Sequence, residues 1–232
     1  MIKAVFFDWF NTLAAYNPPR EEIYRKAFLR HGIDLSLKTI YLGLQAGDAC
    51  FLADRGKDIL TNRSFQDQAA YFIFYPQKIL ANAGLHASDE ILLQVVQEAL
   101  RSFGNTYTLF EDVLPLFQKL KTKQFLLGII TNADKYVLNY IESLGLKPFL
   151  DVIMTSEQAG AEKPSPRIFS AALEAAAIQP SEMLYVGDQY KTDILGARSA
   201  GCQAVLLDRY GINSDIQDCP KISSLTDLPQ YL

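Results

Sequence analysis

Short apolar runs that end at a polar residue recur along this chain, and they limit the folds open to it more than any other feature. The runs are residues 3–7, 125–130 and 183–187, and the polar residues that follow them are Asp8, Thr131, Asn132 and Asp188. A short apolar run closed by turn residues is typical of a strand buried on both faces. Since ligands of an open parallel sheet bind at the carboxyl ends of its strands, we expect these polar side chains to form a site.

The order of the predicted elements indicates an α/β fold with a doubly wound parallel sheet. After about residue 108, strand-like runs alternate with helical patterns, as they do in βαβ units. The predicted strands are residues 3–7, 125–130, 151–154, 183–186 and 203–207, and the predicted helices are residues 111–122, 135–144, 166–177 and 193–200. Ser165 followed by Pro166 is typical of a helix start, while Gly145 and Gly201 can supply left-handed helix ends.

A second domain is predicted as an insertion into the first. Residues 16–103 contain helical periodicities but no convincing buried strand, so we expect a helical domain that divides the α/β core into residues 1–15 and 104–232. The aromatic segment 71–75 is interpreted as core of this insertion, because aromatic clusters usually supply buried area. The alternative is that its tyrosines face a cleft.

Composition excludes several classes of protein. The net charge of −4 at pH 7, without a block of lysine or arginine, argues against nucleic-acid binding. No apolar run is long enough to span a membrane, and the N-terminus enters a predicted strand without an export signal. The three cysteines lack paired spacing, and the two histidines cannot complete a zinc pattern. We therefore expect a cytoplasmic protein with free thiols, and composition leaves both small molecules and proteins open as its partners.

Four segments, taken in chain order, resemble the motifs of the haloacid dehalogenase superfamily. They are Asp8-Trp-Phe-Asn-Thr-Leu, Thr131-Asn132, Lys163-Pro164 and Gly187-Asp188. The resemblance implies a Rossmann-like core with an inserted helical cap of type 1. It also implies a magnesium-dependent hydrolase that acts on a small phosphorylated substrate, such as a phosphate monoester or an acyl phosphate, through an aspartyl-phosphate intermediate.

The resemblance also assigns roles to the acidic residues. It makes Asp8 the nucleophile and a magnesium ligand, with the main-chain carbonyl of Phe10 as another ligand. Asp188 then becomes a further magnesium ligand from a second strand end, in keeping with the few carboxylates that magnesium takes. Asp193 is either an outer organiser of the metal site or a plain cap at a helix start. The unsatisfied N–H groups at a helix start favour an acidic residue even when it has no catalytic role.

The remaining motif residues are expected to bind the transferring phosphoryl group. Thr12, Thr131 and Asn132 would meet its oxygens from turns after strands, where hydroxyl and N–H groups are available. Lys163 would neutralise charge on both Asp8 and the phosphoryl group. Thr131 and Lys163 thus join Asp8 as predicted catalytic residues.

One position departs from the phosphatase pattern. The superfamily's phosphatases carry Asp-x-Asp after the first strand, whereas this chain has Asp8-Trp9-Phe10. The second aspartate protonates the leaving group and activates water, which is worth about 10²–10⁴-fold in rate. Because Phe10 cannot move a proton, another group would have to replace it.

Three other interpretations follow from Phe10. The haloacid dehalogenases proper are aromatic at this position and need no metal, but retained acids would then repel a carboxylate substrate. Phosphonoacetaldehyde hydrolases share Trp9, and Lys38 or Lys57 would have to serve as their Schiff-base lysine. A low-turnover protein that binds or senses a phosphorylated ligand explains Phe10 without a substitute acid.

Overall fold

A computed structural model describes residues 1–53, 64–104 and 106–232. The chain divides into two compact units, one of residues 1–15 and 106–232 and the other of residues 16–105. Lys57, considered above as a Schiff-base lysine, lies outside the described residues. Lys38 is an exposed residue in the first turn of a helix of the second unit.

The described part of the first unit is built on a six-stranded parallel sheet with the order β5-β4-β1-β6-β7-β8. The strands are β1 (Ala4–Phe7), β4 (Leu126–Thr131), β5 (Val152–Thr155), β6 (Met183–Gly187), β7 (Gln203–Leu207) and β8 (Lys221–Ile222). A separate two-stranded sheet pairs β2 (Ala14–Tyr16) with β3 (Tyr107–Leu109). The predicted parallel α/β architecture and its five long strands are confirmed, whereas β2, β3 and β8 were missed.

The helices of this unit follow the strands as βαβ units require. They are α6 (Val113–Thr122), α7 (Val137–Ser143), α8 (Ser156–Ala159), α9 (Pro166–Ala176) and α10 (Leu195–Ser199). Ser165 accepts a hydrogen bond from the Arg167 N–H at the start of α9, and Gly145 and Gly201 have the predicted positive φ angles of 75° and 83°. The helix predicted over residues 193–200 is shorter, because residues Tyr190–Ile194 form a π-helical turn before α10.

Both faces of the sheet are apolar, since β1 sends alternate side chains to opposite cores. Val5 and Phe7 belong to one buried cluster, and Ala4 and Phe6 belong to the other. Gly128 on the neighbouring strand leaves room for the Phe6 ring, which a Cβ atom at that position would strike. The central strands are therefore fixed in register by packing on both sides, and their carboxyl ends are held at one level.

The second unit is helical in its described residues. Its helices are α1 (Arg20–Arg30), α2 (Leu37–Ala53), α3 (Phe65–Tyr71), α4 (Phe74–Asn82) and α5 (Asp89–Ser102). Helices α2 and α4 approach closely because Gly43 and Gly47 have no side chains; a Cβ atom at either would strike Ile79 or Tyr75. Within the segment predicted as core, Tyr75 is buried while Phe72 is half-buried.

Within residues 1–53, 64–104 and 106–232, no helix has the length and apolarity that crossing a bilayer requires.

Candidate active site

The carboxyl ends of β1, β4 and β6 place the predicted residues side by side. Phe7 at the end of β1 is in register with Ile129 of β4 and Val186 of β6, and the Asp8 N–H donates to the Val186 carbonyl at 2.8 Å. Three acidic residues converge there, with carboxylate oxygens within 4.8 Å of one another: Asp8, Asp188 and Asp193. All three are buried, so the structure brings together the acids that the sequence analysis assigned to a metal site.

Lys163 joins two of these acids. Its Nζ donates to Asp8 Oδ1 at 2.6 Å and to Asp193 Oδ1 at 2.6 Å. A third partner is the hydroxyl of Tyr185, which accepts from Nζ at 3.0 Å and itself donates to the Ile130 carbonyl at 3.0 Å. The ammonium is thus fixed beside the predicted nucleophile with its donors directed at defined acceptors.

Asn132 holds the main chain of Lys163 in place. Its Oδ1 accepts from the Lys163 N–H at 2.7 Å, and its Nδ2 donates to the Lys163 carbonyl at 3.0 Å. The side chain of Asn132 therefore contacts Lys163, and its predicted contact with a substrate stays a prediction. Thr131, the last residue of β4, is buried beside it at the same sheet edge.

Asp193 lies in the π-helical turn before α10, with its carboxylate turned inward and almost fully buried. Its Oδ2 accepts from the Gln189 N–H at 2.9 Å, while Oδ1 accepts from Lys163. The residue thus stabilises a local turn and also contacts Lys163, and its predicted role as an outer organiser of a metal site stays a prediction. Gly187 allows this arrangement, because a Cβ atom there would strike the Asp193 carboxylate.

Burial and neighbouring charges shift the pKa values of three groups in this cluster. Burial raises the pKa of Asp8 to about 6, against the lowering effect of Lys163, and Asp193 raises it as well. Burial alone would lower the pKa of Lys163, but Asp193 and Asp8 outweigh it and the pKa is raised, so the ammonium persists. Burial, together with Asp193, raises the pKa of Tyr185 well above its usual value, and the phenol keeps its proton.

The donor set fits a divalent cation. Three carboxylates face one ammonium, which leaves an excess of two negative charges in a buried site. Carboxylate and main-chain carbonyl oxygens are the ligands that magnesium prefers. Thr12 Oγ1 is also buried and has no hydrogen-bond partner among the described residues, which fits a hydroxyl that binds a ligand. Asp8, Asp188 and the Phe10 carbonyl could hold the ion, with Asp193 held by Lys163.

Phe10 packs against an aromatic neighbour and brings no titratable group. Its ring meets Tyr107 edge-on at a centroid distance of 6.4 Å, and the Trp9 ring lies 5.9 Å from the same tyrosine. The turn that follows reverses at Asn11, which has a positive φ of 61°. This loop therefore supplies a carbonyl and apolar surface where a phosphatase motif supplies a carboxylate.

Two residues that contact the site's framework, Tyr185 and Arg209, are not among those predicted from the sequence. Tyr185 lies in the middle of an apolar strand, and nothing in its surroundings distinguishes it from a packing residue. Arg209 donates to the Thr12 carbonyl at 2.9 Å and forms an ion pair with Asp112 at 2.8 Å. Because Asp208 and Arg209 directly follow β7, the pattern of a strand followed by polar residues could have found them.

Comparison with known proteins gives the following relatives. A family model described as haloacid dehalogenase-like hydrolase matches residues 2–201. Glyceraldehyde 3-phosphate phosphatase of Methanopyrus kandleri is 30% identical over 218 residues, covering 90% of this chain and 85% of that protein. Haloacid dehalogenase-like hydrolase domain-containing protein 3 of Bos taurus is 28% identical over 133 residues; the match covers 56% of this chain and about half, 53%, of that protein. The crystal structure of a HAD (haloacid dehalogenase) phosphatase from Thermococcus onnurineus is also similar, with a TM-score of 0.60 and 25% sequence identity. The match covers 99% of this chain and 97% of that one.

Proposed function

The chain belongs to the haloacid dehalogenase-like hydrolases, and from this premise we propose that it is a phosphatase for a small phosphorylated metabolite with Asp8 as nucleophile. The observation that carries the proposal is Lys163, fixed between Asp8 and Asp193 with Asp188 beside them. A relative named glyceraldehyde 3-phosphate phosphatase supports a small phosphorylated substrate.

The proposed first step is an in-line displacement at phosphorus. A carboxylate oxygen of Asp8 forms a bond to phosphorus while the bond between phosphorus and the leaving oxygen breaks, which gives an aspartyl phosphate. Lys163 and the hydroxyls of Thr12 and Thr131 disperse charge on the transferring oxygens. Water then attacks phosphorus while the bond between phosphorus and the Asp8 oxygen breaks, which releases inorganic phosphate and restores the Asp8 carboxylate. The proton that water gives up balances, through solvent, the proton that the leaving oxygen takes up.

We propose magnesium as the cofactor, with Asp8, Asp188 and the Phe10 carbonyl as its ligands. Bound there, the ion would neutralise negative charge on the phosphoryl oxygens. Asp193 supports the site from outside by fixing Lys163. The excess of buried negative charge supports this assignment.

Phe10 favours a second candidate function, that of a slow enzyme which binds or senses a phosphorylated ligand. The aromatic side chain cannot protonate a leaving group or activate water, so good leaving groups such as acyl phosphates suit the first step and the second step is slow. The haloacid dehalogenase alternative ranks below both, because a carboxylate substrate would enter a cluster of three buried acids.

We further propose that residues 16–103 serve as a cap domain for the α/β unit and that the protein works in the cytoplasm. The helical content of this segment and the position of its helices between the paired strands β2 and β3 support the first proposal. Free thiols at Cys50, Cys202 and Cys219, unpaired among the described residues, support the second.

The experiment that tests the function is a screen with and without magnesium. Phosphate monoesters, acyl phosphates and 2-haloacids are each incubated with the protein, and released phosphate or halide is measured. We expect magnesium-dependent phosphate release, fastest from acyl phosphates, with phosphoenzyme detectable on Asp8. Halide release without metal would instead establish a dehalogenase, and binding without turnover would establish the second candidate.

A further inference from the structure

The helical unit contains a pocket that the proposed chemistry at Asp8 does not use. It lies entirely within residues 16–104 and has a volume of ≈ 370 Å³. Small-molecule sites typically measure about 300–1,000 Å³ and combine aromatic walls with a few fixed polar groups. The side chains that define its walls are Tyr16, Tyr24, Phe51, Phe72, Tyr75 and Phe103.

A charge pair forms the polar part of this pocket. The Arg20 guanidinium donates to both carboxylate oxygens of Asp48, at 3.1 and 2.9 Å, and the Tyr75 hydroxyl donates to Asp48 Oδ1 at 2.8 Å. Burial alone would lower the pKa of Arg20, but Asp48 outweighs it and the pKa is raised, so the guanidinium stays charged. Because the guanidinium and the carboxylate form an ion pair, these two residues together bring little net charge to the pocket.

Asp48, the hydrogen-bond acceptor, is the more accessible member of this ion pair. The Asp48 side chain is 34% exposed, whereas the Arg20 side chain is 13% exposed and lies over the Tyr75 ring at 5.2 Å. A carboxylate can accept about four hydrogen bonds, and the described residues supply three. A ligand in the pocket thus meets a carboxylate that can accept a further hydrogen bond and is more exposed than the guanidinium beside it.

The aromatic walls are already arranged in contact with one another. Tyr24 lies 6.4 Å from both Tyr75 and Phe103, and Phe72 lies 6.0 Å from Tyr75, measured between ring centroids. Gly47 helps to fix the Tyr75 ring, because a Cβ atom there would strike it. Flat π surfaces of this kind favour a flat partner, since rings stack in offset or edge-on arrangements.

We propose that this pocket binds a neutral, planar aromatic group that carries an N–H or O–H donor. The rings contact the faces and edges of the group, and its donor reaches Asp48. An anionic ring is disfavoured because it would lie beside the Asp48 carboxylate, the more exposed member of the ion pair. The inference concerns binding in the helical unit and stands whether or not Asp8 is a phosphatase nucleophile.

The test uses the full-length protein with two probes, indole and benzoate, in titration calorimetry. Indole is neutral and donates one N–H, while benzoate is of similar width and carries a negative charge. We expect wild type to bind indole and to bind benzoate far more weakly. Crystals soaked with indole should show the ring between Tyr24 and Phe72; wild type that fails to bind indole at millimolar concentrations overturns the proposal.

Two substitutions make the test specific. Leu100→Trp fills the pocket and should abolish indole binding, whereas Leu100→Met, of similar volume, should preserve it. Asp48→Asn keeps the shape but leaves the Arg20 charge uncompensated, so benzoate affinity should rise by about tenfold or more while indole binding weakens. Unchanged indole binding in a folded Leu100→Trp protein, or no gain of benzoate affinity in folded Asp48→Asn, would contradict the assignment. If Asp48→Asn does not fold, the Leu100 pair decides the question.

Discussion

Asn132 binds the main chain of Lys163 on both sides of its Cα atom, accepting from the N–H at 2.7 Å and donating to the carbonyl at 3.0 Å. These two residues are distant in sequence and come from different loops. The contact fixes where the lysine side chain starts, and the 2.6 Å contact with Asp8 fixes where it ends. The position of the ammonium thus depends on hydrogen bonds that Asn132 makes to the main chain of Lys163.

Replacing Asn132 should slow phosphoryl transfer without removing any charged group. In Asn132→Ala both hydrogen bonds are lost, so Lys163 is less well placed. A misplacement of a catalytic group by about 1 Å can cost about 10²-fold in rate. The rate of phosphoenzyme formation from acetyl phosphate measures the effect. Asn132→Asp keeps an acceptor for the Lys163 N–H and should be less impaired than Asn132→Ala. Equal rates in wild type and Asn132→Ala would show that the two hydrogen bonds from Asn132 to the Lys163 main chain have no role in catalysis.

Asp8→Asn should form no phosphoenzyme, because an amide oxygen is a poor nucleophile and the site loses one anionic ligand. Mass spectrometry after incubation with acetyl phosphate and magnesium measures the covalent adduct, and calorimetry measures magnesium affinity. Glu174→Gln, an exposed acid on α9, is the matched control and should behave as wild type. Phosphorylation of folded Asp8→Asn to the wild-type level would refute covalent catalysis by Asp8.

Phe10→Asp should shorten the life of the aspartyl phosphate and raise steady-state hydrolysis. The new carboxylate can accept a proton from water, a contribution of at most about 10²–10⁴-fold. Phosphoenzyme lifetime and turnover are measured together and should change in opposite directions. Phe10→Leu keeps an apolar side chain and should leave both near their wild-type values. A short-lived phosphoenzyme and rapid turnover in the wild-type protein would mean that another group already activates water.

Asp112→Asn should destabilise the protein at neutral pH and much less in acid. Burial opposes ionisation of Asp112, but hydrogen bonds from Arg209, Ser224 and the Leu225 N–H outweigh it and lower the pKa. The stabilisation is therefore present above the pKa of the unfolded chain, about 3.9, and is lost as pH falls through the lower folded value. We expect a loss of roughly 1–3 kcal/mol in the free energy of unfolding at pH 7.

Urea unfolding of wild type and Asp112→Asn at pH 7 and pH 3 measures this difference. The gap between the two proteins should narrow at the lower pH. Asp227→Asn, in the 3₁₀-helical segment Leu225–Tyr231, serves as the control because its side chain is exposed. A gap that does not change with pH would show that the charge of Asp112 contributes nothing to stability.

The parts of this site that sequence could predict are those tied to strand ends. Asp8 and Asp188 follow short apolar runs, and parallel pairing brings the ends of such runs to one edge, so their proximity follows from topology. The orientation of Asp193 could not be predicted, because a π-helical turn has no clear sequence pattern. Strand β8 was missed because a two-residue strand is too short to show periodicity.

Side-chain partners were harder to predict than positions. Asn132 was assigned to a substrate because it adjoins Thr131, yet both its polar atoms contact Lys163. Tyr185 was given no polar role, because a tyrosine inside a buried strand usually provides packing area, yet its hydroxyl contacts Lys163. Such pairings depend on how two distant loops meet, and a single sequence does not record that.

The ion pairs of Lys163 also determine its reactivity as an amine. A buried ammonium held by two carboxylates has no lone pair to offer, and its raised pKa keeps the lone pair unavailable at neutral pH. Lys163 is therefore a poor target for acylating reagents and for reductive alkylation, which modify exposed lysines such as Lys38 readily. Chemical labelling of amines will report on the surface of this protein and leave its central lysine unmodified for as long as the fold persists.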